Sequence, residues 1–229
     1  MGRKKAVVVI SNWKGITTMR SKPDKVNQTG NTVQAGRFFG MASSRCAIIR
    51  KLLNSLLPEP ANRAVIYRFQ HAFYQWLRSG ALNESMPADD ISFFKGLSFN
   101  EKNELSRFLK FTVKAGRLAS GQLVLNLPAI DPVQQIKSPE GTTSINIHIG
   151  VASLELGNVT AQDYWQGQLT IQNIPDLLPA QKITLPVDPG TDKLLIVVIA
   201  LQYDKEFSAH HLADRLPWKP AGIVGSFYN

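Results

Sequence analysis

The spacing of apolar residues changes period twice along the chain. Residues 6–10 are an unbroken apolar run, β-branched from Val7 to Ile10, and residues 16–20 open with a second β-branched stretch, Ile16-Thr17-Thr18. Asn12-Trp13-Lys14-Gly15 lies between them, with Asn and Gly for a tight turn, so the pattern predicts an N-terminal β-hairpin. Ser21-Lys22-Pro23-Asp24 then breaks the second strand, because proline removes a donor and restricts its predecessor. Residues 32–57 contain no proline. Phe38, Met41, Ala42, Cys46, Ile49, Leu52, Leu53 and Leu56 recur there at three- and four-residue steps, which is one face of a helix. Thr29 or Asn31 supplies the N-cap, and Pro58-Glu59-Pro60 stops the helix. A second helix begins at a capping Asn62, carries Val65, Phe69, Phe73, Trp76 and Leu77 on one face, and closes at Ser79-Gly80. The short link between the two predicts an antiparallel helical hairpin.

Residues 81–100 read as an ordered connection around Pro87 and the pair Phe93-Phe94, and residues 100–109 as a short third helix capped by Asn100. Beyond Gly121 the period shortens to two. Residues 122–127, 143–149, 168–171, 181–185, 194–201 and 223–227 all predict strands, with Pro, Gly, Asn or Asp between most of them. The alternation of Ile145, Ile147 and Ile149 marks one buried sheet face. No helix-length periodic segment interrupts these strands, so the pattern points to an antiparallel sandwich and away from a doubly wound α/β sheet. The expected fold is α+β. A hairpin and basic helical region fills residues 1–118, and an Ig-like or jelly-roll-like β-sandwich fills residues 119–229.

Charge changes this picture. The chain of 229 residues has a formal charge of +9, but residues 1–80 hold fourteen Lys/Arg against only Asp24 and Glu59, a net of +12. The remaining residues hold twelve against fifteen, a net of −3. Such asymmetry suggests that the basic third meets an anionic partner. The residues placed to do so are Lys4, Lys5, Trp13, Lys14, Arg20, Lys22, Arg37, Arg45, Arg50 and Lys51. The longest apolar run, residues 194–201, is far short of the ~20 residues a membrane helix needs. The five-residue run after Arg3-Lys4-Lys5 is too short for a signal peptide, so a cytoplasmic location, or a particle assembled there, is expected.

Candidate chemistry is thin. The single cysteine, Cys46, excludes an intrachain disulfide framework, and its place on the apolar helical face makes it a buried small hydrophobe. His71 falls between Phe69 and Phe73 and reads as a packing histidine, whereas His148 alternates with Ile147 and Ile149 on the polar side of a strand. His210-His211 are adjacent, and neighbouring side chains diverge, so one metal would rarely take both. Neither a Gly-x-Ser-x-Gly elbow nor a phosphate-cradling glycine loop occurs. Asp89-Asp90 reads as a solvated acidic pair, and Tyr164-Trp165 and Trp218 are the aromatic residues a ligand-binding module could use from loops. No catalytic residue, metal or cofactor is assigned.

Ser11-Asn12-Trp13-Lys14-Gly15-Ile16-Thr17-Thr18-Met19-Arg20-Ser21-Lys22-Pro23, followed by Gln34-Ala35-Gly36-Arg37-Phe38-Phe39-Gly40-Met41-Ala42, resembles an uncharacterised protein family common in Bacteroidetes. That family has a Trp-Lys-Gly-x-x-x-x-Arg-Ser box and then a Gln-x-x-x-Arg-x-x-Phe helix start. Here Gln34 precedes Arg37 by three residues, and Arg-Lys-Lys-Ala-Val-Val-Val replaces a glycine-rich opening. The resemblance implies a bacterial origin and a helix-then-strands layout, and assigns no chemistry. The expected function is therefore non-enzymatic. The chain self-associates into a homo-oligomer or larger assembly, or docks on a partner, through its basic N-terminal region and sandwich edges. The alternative is nucleic-acid binding by the basic third, where Trp13, Phe38, Phe39, Tyr67, Tyr74 and Trp76 interleave with the cations. No membrane insertion is expected.

Overall fold

A computed structural model describes residues 8–13, 15–21, 28–57, 62–79, 88–89, 91–100, 103–158, 160, 162–188, 190, 192–205 and 219–228. In chain order the first elements are β1 (Val8–Trp13), β2 (Ile16–Ser21), α1 (Gly30–Leu52), α2 (Arg63–Arg78), β3 (Ala88–Asp89), a 3-10 turn (Ser92–Phe94), α3 (Leu105–Phe108), β4 (Lys114–Arg117) and β5 (Leu123–Leu127). They are followed by α4 (Pro132–Gln135), β6 (Thr142–Glu155), β7 (Gln162–Gln172), β8 (Gln181–Thr184), β9 (Lys193–Lys205) and β10 (Ala221–Tyr228). The fold is α+β, with the strands in three antiparallel sheets. The chain divides into two compact units, Met1–Arg37 and Phe38–Asn229.

The first unit holds the expected N-terminal hairpin. β1 and β2 pair from Val8↔Ser21 to Trp13↔Ile16, and Gly15 takes the positive φ of 79° that the tight turn requires. The same unit contains the start of α1, where the Thr29 hydroxyl accepts from the Thr32 amide at 3.3 Å, so Thr29 is the cap.

In the second unit a five-stranded sheet, ordered β3-β10-β9-β6-β7, is packed on both faces, on the helical side over part of its length. On one side lies the helical hairpin. Ala42, Cys46, Ile49, Leu53 and Leu56 from α1 and its terminal turn meet Val65, Phe69, Phe73, Trp76 and Leu77 from α2. Both stripes rest on Ala152, Leu154, Leu194, Ile196 and Val198. On the other side the three-stranded sheet β4-β5-β8 packs Leu123 and Leu125, with Leu185 just beyond β8, against Ile145, Ile147, Ile149, Val151, Leu195, Val197 and Ile199. The run 194–201 is unbroken because β9 is central. Its even residues face the helices and its odd residues face the sandwich, and neither side meets water.

Several elements differ from the sequence pattern, each for a local reason. α1 ends at Leu52, and residues 53–57 form turns in which the Leu56 and Leu57 amides bond Leu53 O. The third helix shrinks to Leu105–Phe108, while Asn100 Oδ1 accepts from the Asn103 amide just before it. β6 and β7 extend beyond their expected ends. In β6, residues 150–155 face two covered sides, so alternation disappears; β7 begins with polar residues at a sheet edge. β4, Lys-Ala-Gly-Arg, has no β-branched residue and is held by pairing with β5. His71 is exposed. Two residues along a helix from Phe69 is roughly 200° around it, which points His71 away from the core.

Candidate functional site

Of the proposed cationic residues, the structure describes the side chains of Arg37, Arg45, Arg50 and Lys51. Lys4, Lys5, Lys14 and Lys22 lie outside the described residues; Trp13 and Arg20 are described as backbone of β1 and β2, with their side chains outside. Arg37 and Lys51 are exposed, on the side of α1 away from the buried stripe. Arg45 and Arg50 instead border that stripe on opposite sides, about 70° from its centre, and are half-buried. The Arg45 guanidinium donates to Leu156 O, tying α1 to the end of β6, and burial lowers its pKa. Arg50 lies beside Cys46, whose buried thiol is pushed well above its ordinary pKa and so stays protonated. Among the α1 cations, Arg45 and Arg50 are therefore half-buried while Arg37 and Lys51 face solvent.

What the fold does bring together is a polar field that no sequence motif marked. On β6, β7 and β9, residues of the helical side form successive cross-strand rows: Gln172/Ser144/Asp204, Thr170/Asn146/Gln202, and Gln168/His148 beside Ala200. Along the same face the next rows become Gly150, Ala152 and Leu154, which the helices cover. Asn146 is the hub. Its Nδ2 donates to Asp204 Oδ2 at 2.7 Å, and its Oδ1 accepts from Gln168 Nε2 at 2.9 Å and Thr170 Oγ1 at 2.7 Å. The Ser144 hydroxyl adds a 2.8 Å bond to the same Asp204 oxygen. At the junction with α1, Ser55 and the Tyr164 hydroxyl both donate to Gln166 Oε1 at 2.9 Å. Tyr164 and Trp165 thus belong to β7, not a loop, and diverge: Tyr164 lies on the helical side, whereas Trp165 packs on the sandwich core. Trp218 and His210-His211 lie outside the described residues.

His148 Nε2 is 3.2 Å from Gln202 Oε1. Burial lowers its pKa, opposed by the Gln202 bond; Lys219 lowers it further and Asp204 raises it. With the folded pKa below the unfolded value of about 6.5, the unfolded chain takes up the proton first. Stability is therefore full above that pH and falls as the solution is acidified through it. Between pH 7 and 5, the urea midpoint of the wild type is expected to drop more steeply than that of His148→Gln. Parallel curves would show that His148 contributes nothing to acid sensitivity.

The hairpin is the second feature of note. Ile10 and Met19 are cross-strand partners on one of its faces and are 65% and 68% exposed, while Ile16, on the other face, is 65% exposed. Among the described residues no helix is long and apolar enough to cross a membrane, and no group of three or more His, Cys, Asp or Glu is placed to hold a metal. Compared with family models, curated proteins and solved structures, the chain matches none.

Proposed function

We propose that the chain is a non-enzymatic assembly protein that self-associates, or docks on a partner, through its basic N-terminal region and its sheet edges. The supporting observation is the hairpin. A two-stranded ribbon is marginal by itself in water, yet this one exposes Ile10 and Met19 on one face and Ile16 on the other. A partner surface would remove that apolar area from water and supply the stability the ribbon lacks. The contrast between a +12 segment and a −3 remainder favours docking of unlike regions from neighbouring copies. Sedimentation velocity and negative-stain microscopy of the pure protein are expected to find species larger than a monomer. The double substitution Ile10→Asp with Met19→Asp should shift them to smaller species. A strict monomer at every concentration removes the self-association reading.

Nucleic-acid binding is the second reading. It draws on the outer face of α2, where Arg63, Tyr67, Arg68, His71 and Arg78 are exposed. Tyr67, Arg68 and His71 line a hollow with Phe93, combining the cations and aromatic rings that phosphate and bases use. A gel shift that is absent at low salt would dismiss it.

A further inference from the structure

Among the described residues, the five-stranded sheet is protected at one end and open at the other. At the β10 end, β3 pairs with Phe227 and Tyr228, the Ile91 amide bonds Ser226 O, and Leu97 O accepts from the Ile223 amide. Ser98 bridges to Gly222, and the Phe99 amide bonds Ala221 O. Short segments thus occupy the β10 edge almost residue by residue. At the other end lies β7, an edge strand of eleven residues that pairs only with β6 among the described strands.

The β6–β7 ladder determines which backbone groups of β7 point outward. The Asn173 amide bonds Thr143 O, so alternation assigns Ile171, Leu169, Gly167 and Trp165 to the β6 side. The outward amides and carbonyls then belong to Gln162, Tyr164, Gln166, Gln168, Thr170 and Gln172. Two outward amides at one end are already satisfied locally, Gln162 by Thr160 O and Tyr164 by Asp163 Oδ1 at 2.7 Å. That agrees with the assignment and leaves the stretch from Gln166 to Gln172 as the open edge.

This edge lacks the devices that keep sheets apart. The strand has no proline or lysine, its register with β6 has no bulge, and its one charge, Asp163, lies near the satisfied end. The other margins of the two larger sheets are short: β3 has two residues, and β4 and β8 have four each.

We infer that the β7 edge pairs antiparallel with the β7 edge of a second copy, joining two five-stranded sheets into one across a two-fold axis. The occupant follows from self-complementarity. A two-fold axis perpendicular to the sheet makes the meeting strands antiparallel, and each edge then offers the alternating donors and acceptors that the other needs. The side chains beside the outward groups are amides and hydroxyls, Gln166, Gln168, Thr170 and Gln172, which both donate and accept. An identical edge therefore meets no like charge along the open stretch, whereas a charged partner strand would find no counter-charge there.

This inference rests on the self-association reading above, and the test separates the two. Gln168→Pro removes one outward N–H while leaving the β6 ladder intact; Gln168→Ala removes the same side chain and keeps the N–H. Sedimentation equilibrium is expected to show a wild-type dimer that Gln168→Ala retains and Gln168→Pro weakens at least about tenfold in dissociation constant. Should the proline variant fail to fold, amide exchange in the wild type decides instead. The amides of Gln166, Gln168, Thr170 and Gln172 should gain protection as protein concentration rises, while those of Leu169 and Ile171 are protected throughout. A self-associating protein whose outward amides stay unprotected overturns the β7 pairing and leaves the assembly reading standing. Protection that disappears in Ile10→Asp with Met19→Asp overturns it too, by making the hairpin the occupant of the edge. A protein monomeric at all concentrations overturns both.

Discussion

Phe94→Ala is expected to lower stability by about 3–5 kcal/mol, the range for emptying a buried aromatic site. Phe94 is fully buried in the 3-10 turn that follows α2, and three rings meet it edge-on: Phe69 at 5.9 Å, Phe73 at 5.6 Å and Trp76 at 5.9 Å. Beyond them Phe99 packs on Phe69 at 5.8 Å and Tyr228 on Trp76 at 5.4 Å, so the cluster reaches from α2 to the last strand. Each edge-to-face pair adds to the area term, and removing the central ring loses three at once. Phe93, its neighbour, is 40% exposed on the rim of the hollow beside Tyr67, and Phe93→Ala should cost less than about 1 kcal/mol. Urea unfolding of the two variants checks this, with a thermal shift of roughly 10 °C for Phe94→Ala and little for Phe93→Ala. Equal losses would mean that Phe94 is not the centre of that core.

The Phe93-Phe94 contrast marks where sequence reading stops. Apolar content identified an ordered connection there, but which of two adjacent phenylalanines points inward depends on a turn that no periodicity encodes. Local signals did carry the hairpin register, through Gly15, and both helical stripes, through steps of three and four residues. Asn62 was legible as a cap because its chemistry is local, and its side chain accepts from the Ala64 amide at 3.0 Å. The run 194–201 was legible as a strand but not as the central one, since centrality depends on β6 and β10, which approach from opposite directions in sequence. The same holds for the polar field. Asn146, Gln168 and Asp204 are more than twenty residues apart from one another, and only strand order makes them neighbours. The open edge of β7 is likewise a property of the whole sheet. Of the cationic residues, Arg45 and Arg50 lie on the flanks of an apolar stripe and are half-buried, and the Arg45 head bonds Leu156 O; net charge carries no information about such burial.

Gly150→Val is expected to lower stability by about 2–3 kcal/mol, by overpacking where α1 meets the sheet. Gly150 lies in the middle of β6, on the helical face, at the point where the polar rows give way to the helix-covered ones. A β-carbon there would overlap Leu56 Cδ1 and come within 3.1 Å of Leu53 Cδ2. Leu56 is 4% exposed and Leu53 not at all, so neither side chain has solvent to swing into. Glycine at this position therefore serves close approach and not backbone freedom, which a β-strand does not require. Gly116→Val is the control. Gly116 lies in β4 with open space where a β-carbon would sit, and valine suits a strand, so that variant should be neutral or slightly stabilised. The mechanism is tested by a double-mutant cycle. Leu56→Ala alone opens a cavity and Gly150→Val alone overfills the same space, so the pair should be more stable than the sum of the two losses by about 1 kcal/mol or more. Strict additivity would place the cost of Gly150→Val in the strand backbone and not in the contact with the end of α1.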